Sequence, residues 1–339
     1  MSAPYINKPF MYLWLEFIES YTAGMEEKME ITASMVKQLR EMTGAGVMAC
    51  KKALVETDGD FDKAIESLRE KGEATAVKKA GRIAAEGVVR AEVRDDKTAV
   101  IVEVNSETDF VAKNEKFGAF VSDVVDQIFA TNAKTAEELL AEKFIKDESK
   151  TVKEELVSQI AVIGENLTIR RFVKISSDGI VVPYIHGGGR IGVLVEAKAD
   201  VVNDEVKEAL KNVAMQIAAL NPKYTSRNEV SEEFIAHEKE ILLAQIKNDP
   251  KEASKPEKVI EGMINGRINK EMKEICLLDQ VYVKAEDGKQ TVAQYVAQVA
   301  KDTGSNLEIK GFVRYETGEG IEKKEENFAE EVAKQMAGN

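Results

Sequence analysis

The chain holds 339 residues, 44% hydrophobic and 32% charged, enough for two or three packed modules with a substantial core. With 60 Asp and Glu against 47 Lys and Arg, the net charge is −13, which argues against a phosphate backbone as the primary partner. The 2 His and 2 Cys (His186, His237, Cys50, Cys276) are too few and too scattered for a closed zinc site or a disulfide framework, and they fit a reducing cytoplasm.

Residues 1–28 contain an apolar burst, Phe10-Met11-Tyr12-Leu13-Trp14-Leu15, broken by Glu16 and Glu19. It lacks the basic front and long apolar run of a signal peptide and is too short to span a bilayer. It reads as an added leader of unknown role, with a membrane-surface anchor as the weaker alternative. From Glu30 to about Arg82 three short helices are expected. Met35, Val36, Leu39 and Met42 form a stripe that stops at Thr43-Gly44-Ala45-Gly46. Val47, Cys50, Ala53 and Leu54 form a second, and Phe61, Ala64, Ile65 and Leu68 a third, closed by Gly72. Glu73 to Arg82 reads as a linker. Such a bundle is too small to enclose an enzyme pocket and suits a docking module.

From Gly87 the apolar period changes to two. Val88–Val93 and Thr98–Val104 flank Arg94-Asp95-Asp96-Lys97, a hairpin signal. A helix follows over about Asn114–Ala130, then a charged stretch over 133–156, a helix reaching Ile163, and a strand over Leu167–Ile175. A second hairpin, Ile180–Ile185 with Ile191–Ala197, turns at His186-Gly187-Gly188-Gly189-Arg190 and leads into a helix over Asp204–Leu220. Asn306-Leu307-Glu308-Ile309-Lys310-Gly311-Phe312-Val313-Arg314 then repeats the pattern of Asn166-Leu167-Thr168-Ile169-Arg170-Arg171-Phe172-Val173-Lys174. Two hairpin–helix–strand units with matching closing strands predict a duplicated α+β core. Between them Val230, Phe234, His237, Ile241 and Ala244 form a heptad seam. A polar turn with two prolines and a return stripe, Ile260, Ile264, Ile268, Met272 and Ile275, complete an antiparallel helical hairpin. It could pack on itself or pair two copies of the chain.

Thr108-Asp109-Phe110-Val111 lies between a strand and a helix. It can be read as a cap with Phe110 in the core, or as a carboxylate beside an exposed aromatic wedge. His186 has no Ser, Cys or Asp constellation beside it, and its triple glycine leads into a strand instead of the helix that a phosphate loop requires. His237 reads as a packed or edge residue of the seam. No spacing of carboxylates marks an acid–base pair. Val47 and Met48 open a helix beside Arg40 and Lys51 and read as core or as a docking corner. The tail from Gly318 is acidic and ends in the stripe Phe328, Val332 and Met336.

From Met29 onward the chain resembles the bacterial elongation factor Ts family. The supporting segments run from Ile31-Thr32-Ala33-Ser34 through Leu39-Arg40, then Thr43-Gly44-Ala45-Gly46 with Cys50-Lys51-Lys52-Ala53-Leu54, and Thr108-Asp109-Phe110-Val111-Ala112-Lys113. Later come Ile163-Gly164-Glu165-Asn166, His186 with Arg190–Val195, and Phe312-Val313-Arg314-Tyr315 with Gly318–Lys323. The leader has no family counterpart. Val47 and Gln216 depart from residues that some relatives carry.

The resemblance implies an α+β protein that is a non-enzymatic guanine nucleotide exchange factor for elongation factor Tu, in its GDP-bound and nucleotide-free states. It implies a cytoplasmic protein without cofactor, resident metal, membrane or direct nucleic-acid contact. The architecture so implied is a leader (1–28), a ubiquitin-associated-like three-helix bundle with linker (29–82) and a first core subdomain (83–178). A second core subdomain (179–222 and 269–316), a coiled-coil insertion (223–268) and a C-terminal module (317–339) complete it. Asp109 and Phe110 would disturb the magnesium and nucleotide site of the partner, with Thr108 and Val111 holding them. Arg40, Val47, Met48 and Lys51 would dock the bundle, and Ile163, Gly164 and His186 would add contacts. The alternatives are an adaptor that binds without affecting nucleotides and an enzyme using His186 as base.

Overall fold

The computed structural model describes residues 30–322, so the expectations for the leader and for Phe328, Val332 and Met336 lie outside the described residues. The chain divides into two compact units between Thr75 and Ala76. The first is built on α1 (Ala33–Thr43), α2 (Val47–Glu56) and α3, which runs Phe61–Lys79 and so continues into the second unit. The Thr32 hydroxyl caps α1 by accepting the Met35 N–H, and Gly44 ends it. Val36, Leu39, Cys50, Ala53, Leu54 and Ala64 make the core, with Met35, Phe61, Ile65 and Leu68 packed on it.

Two members of the expected stripes, Met42 and Val47, are exposed. The stop at Gly72 and the linker after it are corrected. α3 passes through Gly72, which is buried, and most of Glu73–Arg82 is helix. A mid-helix glycine costs only about 1 kcal/mol relative to alanine. The Lys71–Glu56 ion pair to α2 and the alanines at 74 and 76 favour continuation.

In the second unit β1 (Glu86–Arg94) and β2 (Thr98–Ser106) form a hairpin whose turn residues Asp95 and Asp96 both take positive φ. After α4 (Asp109–Ala112), α5 (Glu115–Ala130), α6 (Ala136–Ala141), the small hairpin β3 (Lys143–Phe144) and β4 (Asp147–Thr151), and α7 (Val152–Ile163), strand β5 (Thr168–Ser176) returns beside β2. The sheet order is β1-β2-β5, antiparallel throughout. The chain then repeats the plan. β6 (Ile180–His186) and β7 (Ile191–Lys198) pair, α8 (Asp204–Leu220) follows, and β8 (Glu308–Glu316) closes a sheet of order β6-β7-β8. Both sheets carry a register shift at one corresponding place, Glu103/Val104 in β2 and Glu196/Ala197 in β7.

α12 (Val292–Thr303), which the sequence reading did not anticipate, completes the correspondence with α7. Thr151 with Glu154 and Thr291 with Gln294 form capping boxes, and the two helices end at Gly164 and Gly304, both left-handed.

Side-chain alternation along β2 explains the layering. Val100, Val102 and Val104 face α5 and α7 in one core with Phe117, Phe120, Val121, Val124, Leu156 and Ile160. The other face of β2, through Ala99 and Ile101, joins Val89 and Ala91 against Val181 and Leu194 of the second sheet. The second sheet's outer face, Val193, Val195 and Ala197, is covered by α8 and α12. The unit is therefore helix, sheet, sheet, helix.

Between β7 and β8, α9 (Glu232–Asn248), the short α10 (Pro250–Ala253) and α11 (Glu257–Ile275) form the helical hairpin. The return stripe packs as expected, with Ile264, Ile268 and Met272 buried. The outgoing seam holds at its start, where Val230 is buried and Phe234 packs on the same core, and then shifts phase. His237, Ile241 and Ala244 are exposed, while Ile235, Leu242 and Ile246 pack with α11. α9 carries two neighbouring apolar stripes, and the one without histidine and alanine offers more area to bury.

Glu103 follows Ile101 on the sheet-to-sheet face of β2 and is fully buried. Its carboxylate accepts from Arg170 Nη1 (3.0 Å), Arg171 Nε (2.6 Å), Asn105 Nδ2 (3.1 Å) and the Gly318 N–H (2.8 Å). Gly318 has φ +72°, and a Cβ there would lie 2.1 Å from the Ala85 carbonyl, so only glycine brings this amide to the carboxylate. Arg171 also reaches Glu319 and lies over the Tyr315 ring. Burial pushes the Glu103 carboxyl up, but the hydrogen bonds from Gly318, Asn105, Arg170 and Arg171 outweigh it and hold it below its ordinary value of 4.5.

Because that carboxyl is held low, its contribution is complete above about pH 4.5 and fades as pH falls through its lower folded value. Glu103→Gln is expected to lower unfolding free energy by about 3 kcal/mol at neutral pH. In urea titrations from pH 7 to pH 3, its stability deficit against the parent chain should shrink in acid.

Candidate partner-docking site

The last residues of β2 are buried, and the chain leaves the sheet at Ser106. Thr108 is extended and caps the single turn α4, accepting the Val111 N–H at 3.4 Å. Val111 turns inward onto the first core. Asp109 and Phe110 turn outward, and Phe110 is 82% exposed. The reading of Phe110 as core is thus corrected, while Thr108 does cap. Asp109 Oδ2 pairs with Lys113 Nζ at 2.6 Å, one turn on. The hydrogen bond from Lys113 holds the Asp109 carboxyl below the ordinary carboxylate value, so it is ionised at neutral pH.

The base of this tip is tied to the end of α7. Glu165 Oε2 accepts the backbone N–H of Glu107 and of Thr108, each at 3.0 Å, and Oε1 accepts the Thr108 hydroxyl at 2.6 Å. In return Glu107 Oε1 accepts the Asn166 N–H at 2.6 Å, and Asn166 Nδ2 donates to the Arg82 carbonyl. Gly164 makes the clasp feasible. At φ +86° it ends α7 and turns the chain so that Glu165 points back to the tip. Ile163 and Gly164 are thereby brought beside the Thr108–Val111 segment, Ile163 packed on the first core and Gly164 exposed. The sequence reading assigned Glu165 no role. The signal was present in the repeat, where Gly164-Glu165-Asn166 aligns with Gly304-Ser305-Asn306.

In the first unit, Arg40, Val47 and Lys51 line one groove of ≈ 300 Å³ with Ile31, Val36 and Lys37, an apolar floor with a basic rim. Met48 stands beside it, 76% exposed. His186 ends β6 at the rim of the glycine turn, exposed, with Tyr184 Oη 3.1 Å from its Nδ1. That partner lies two residues back on its own strand, in a hairpin separate from the tip. Gln216 is fully buried. Its amide donates to Gln280 Oε1 and the Val281 carbonyl and accepts the Val283 N–H, so it ties α8 to the segment before α12.

Among the described residues no group of three or more His, Cys, Asp or Glu is placed to hold a metal ion, and no helix is long and apolar enough to cross a membrane. The chemistry on display is recognition: an aromatic ring and a carboxylate presented from a fixed base. Leaving a Phe in water forgoes about 1.5–3 kcal/mol of burial free energy. Phe110→Ala is therefore expected to change unfolding free energy by less than about 0.5 kcal/mol, whereas Val111→Ala should cost about 1.5 kcal/mol, both read from denaturant midpoints.

Residues 107–319 match the model of the family described as Elongation factor TS. The chain is 54% identical over 308 residues to an Elongation factor Ts of Clostridium botulinum (strain Eklund 17B / Type B), covering 90% of this chain and 99% of that relative. It is 54% identical over 307 residues to the Elongation factor Ts of Clostridioides difficile (strain 630), with the same shares covered. To that of Clostridium novyi (strain NT) it is 52% identical over 308 residues, again over 90% and 99% of the two chains. The match takes in the tip, the clasp and both sheets, and the chain belongs to the elongation factor Ts family of translation elongation factors.

Proposed function

We propose that this chain is the guanine nucleotide exchange factor of elongation factor Tu, binding the GDP-bound GTPase and promoting GDP release so that GTP can reload. The observation that carries the reading is the Phe110 ring, held out in water beside an ionised Asp109 on a base tied down at both ends. GDP is retained by its GTPase largely through phosphates and Mg²⁺, so disturbing the ion removes a large favourable electrostatic term. Phe110 supplies apolar energy for insertion. Asp109 brings a negative charge that competes for the cation and repels phosphate oxygens. Thr108 and Val111 hold the pair in place.

No covalent chemistry is needed. A factor that binds the nucleotide-free GTPase more tightly than the GDP-bound form must weaken GDP by the same ratio. In this reading the bundle of residues 29–82 docks through Arg40, Val47, Met48 and Lys51, whose groove offers an apolar floor between cationic side chains. Ile163 and Gly164 add contacts beside the tip, and His186 adds one from the second hairpin. The core spans 83–178 with 179–222 and 269–316, interrupted by the insertion at 223–268 and followed by a C-terminal module.

The test is stopped-flow release of a fluorescent GDP from elongation factor Tu at fixed Mg²⁺, with the chain titrated to saturation. The expected result is a release rate that rises and saturates, with the Asp109→Ala/Phe110→Ala variant about tenfold to a hundredfold slower at saturation. Unchanged release by that variant, folded and still binding, would remove the pair from the mechanism. An absence of acceleration by the parent chain would leave a binding adaptor as the better reading.

A further inference from the structure

The two halves of the second unit solve one local problem in two ways. Where a central strand leaves its sheet, its exit must be tied to the start of the closing strand. In the second half Asp200 Oδ1 accepts the Asn306 N–H at 2.6 Å, as Glu107 Oε1 accepts that of Asn166 at 2.6 Å. The residue before the asparagine then engages the strand exit. In the second half this is Ser305, whose hydroxyl accepts the Val201 N–H at 3.3 Å and donates to Asp200 and the Val201 carbonyl. In the first half it is Glu165, whose carboxylate takes the Glu107 amide, the Thr108 amide and the Thr108 hydroxyl, all within 3.0 Å.

The fold is satisfied with a serine at this place. A carboxylate gives shorter, charge-assisted bonds and fixes two successive backbone amides and the capping side chain together. This stronger clasp occurs in the half whose exit carries the exposed Phe110.

We infer that Glu165 is a positioning residue for nucleotide exchange, its clasp fixing the direction in which Asp109 and Phe110 leave the core. The inference rests on the exchange-factor reading above. A tip that must enter a partner loses effect when its ring samples other directions, because the energy of ordering it is then spent at the moment of insertion. Glu165 itself need not touch the partner.

The experiment uses the full chain with Glu165→Ser, the residue found at the corresponding place in the second half, and Glu165→Gln, which keeps the shape. Release of fluorescent GDP from elongation factor Tu is followed against factor concentration, with Phe110→Ala and Phe110→Ala/Glu165→Ser alongside. The expected result is a maximal release rate lowered about tenfold by either Glu165 variant, with the half-saturating concentration within about twofold of the parent. The double variant should be no slower than Phe110→Ala, since the clasp acts through the ring. If Phe110→Ala is slow but folded Glu165→Ser matches the parent, the clasp has no role in exchange and the inference fails while the exchange reading stands. A raised half-saturating concentration at an unchanged maximal rate would overturn the inference too, making Glu165 an ordinary contact. Parental release by Phe110→Ala would overturn the role of the tip and, with it, the inference.

Discussion

The buried carboxylate of Glu103 is the constraint around which the second unit is organised. β2 is buried on both faces, one against helices and the other against a second sheet, and an unpaired charge there would be prohibitive. The charge is tolerated because donors converge from three places: Asn105 on the same strand, Arg170 and Arg171 on β5, and the Gly318 amide just past the end of β8. Those donors fix more than a charge. They bind the first sheet to the segment leaving the second, and they set the depth at which β2 lies between the layers. The corresponding Glu196 of β7 lies on the same side of the same register shift but is only partly buried and accepts from Ser177. The duplicated plan has thus been turned into a staple in one half only.

Rigidity at Glu103 carries forward along the chain. Asn105 lies two residues on, bound to the Glu103 carboxylate and the Glu86 carbonyl. Ser106 then bonds the Thr108 carbonyl, and Thr108 enters the Glu165 clasp. Between the staple and the tip there is no residue without a fixed partner or a buried side chain. Within the proposed mechanism this matters because an exposed phenylalanine is useful only if its direction is set beforehand. A ring on a loose loop would collapse onto the nearest apolar surface.

Much of this architecture was legible in the sequence because it rests on patterns that survive without partners. Alternation gave the strands, and the matched closing strands gave the duplication. What was missed depended on tertiary context. The glycine at 72 reads as a stop, yet the helix runs through it and Gly72 is buried. α9 has apolar residues on two adjacent stripes, and only the presence of α11 decides that Ile235, Leu242 and Ile246 face inward while His237, Ile241 and Ala244 do not. α12 escaped notice although Thr291 to Val313 follows Thr151 to Val173 at one unbroken spacing, through Thr-Val, Gly-x-Asn-Leu-x-Ile and Phe-Val. Phe110 defeats any pattern rule. Local pattern leaves its core and its exposed readings both open, and the fold decides for exposure.

The correspondence between the halves also separates what the fold requires from what it permits. Both need a capped helix ending at a left-handed glycine, an Asn amide received by a carboxylate from the strand exit, and a side chain that closes the exit. Between these fixed points the two exits differ freely. One reads Thr108-Asp109-Phe110 and adds a one-turn helix before α5, and the other reads Val201-Val202-Asn203 and caps α8 directly through Asn203. The scaffold's stability depends little on Asp109 and Phe110, because the anchoring groups are backbone amides, the Thr108 hydroxyl, the Val111 side chain and residues outside the tip. A surface built this way can present an aromatic ring and a charge to a partner at little cost to folding. In the proposed mechanism the second half then contributes support and the His186 contact, and the asymmetry that matters for insertion is confined to a few residues at one strand exit.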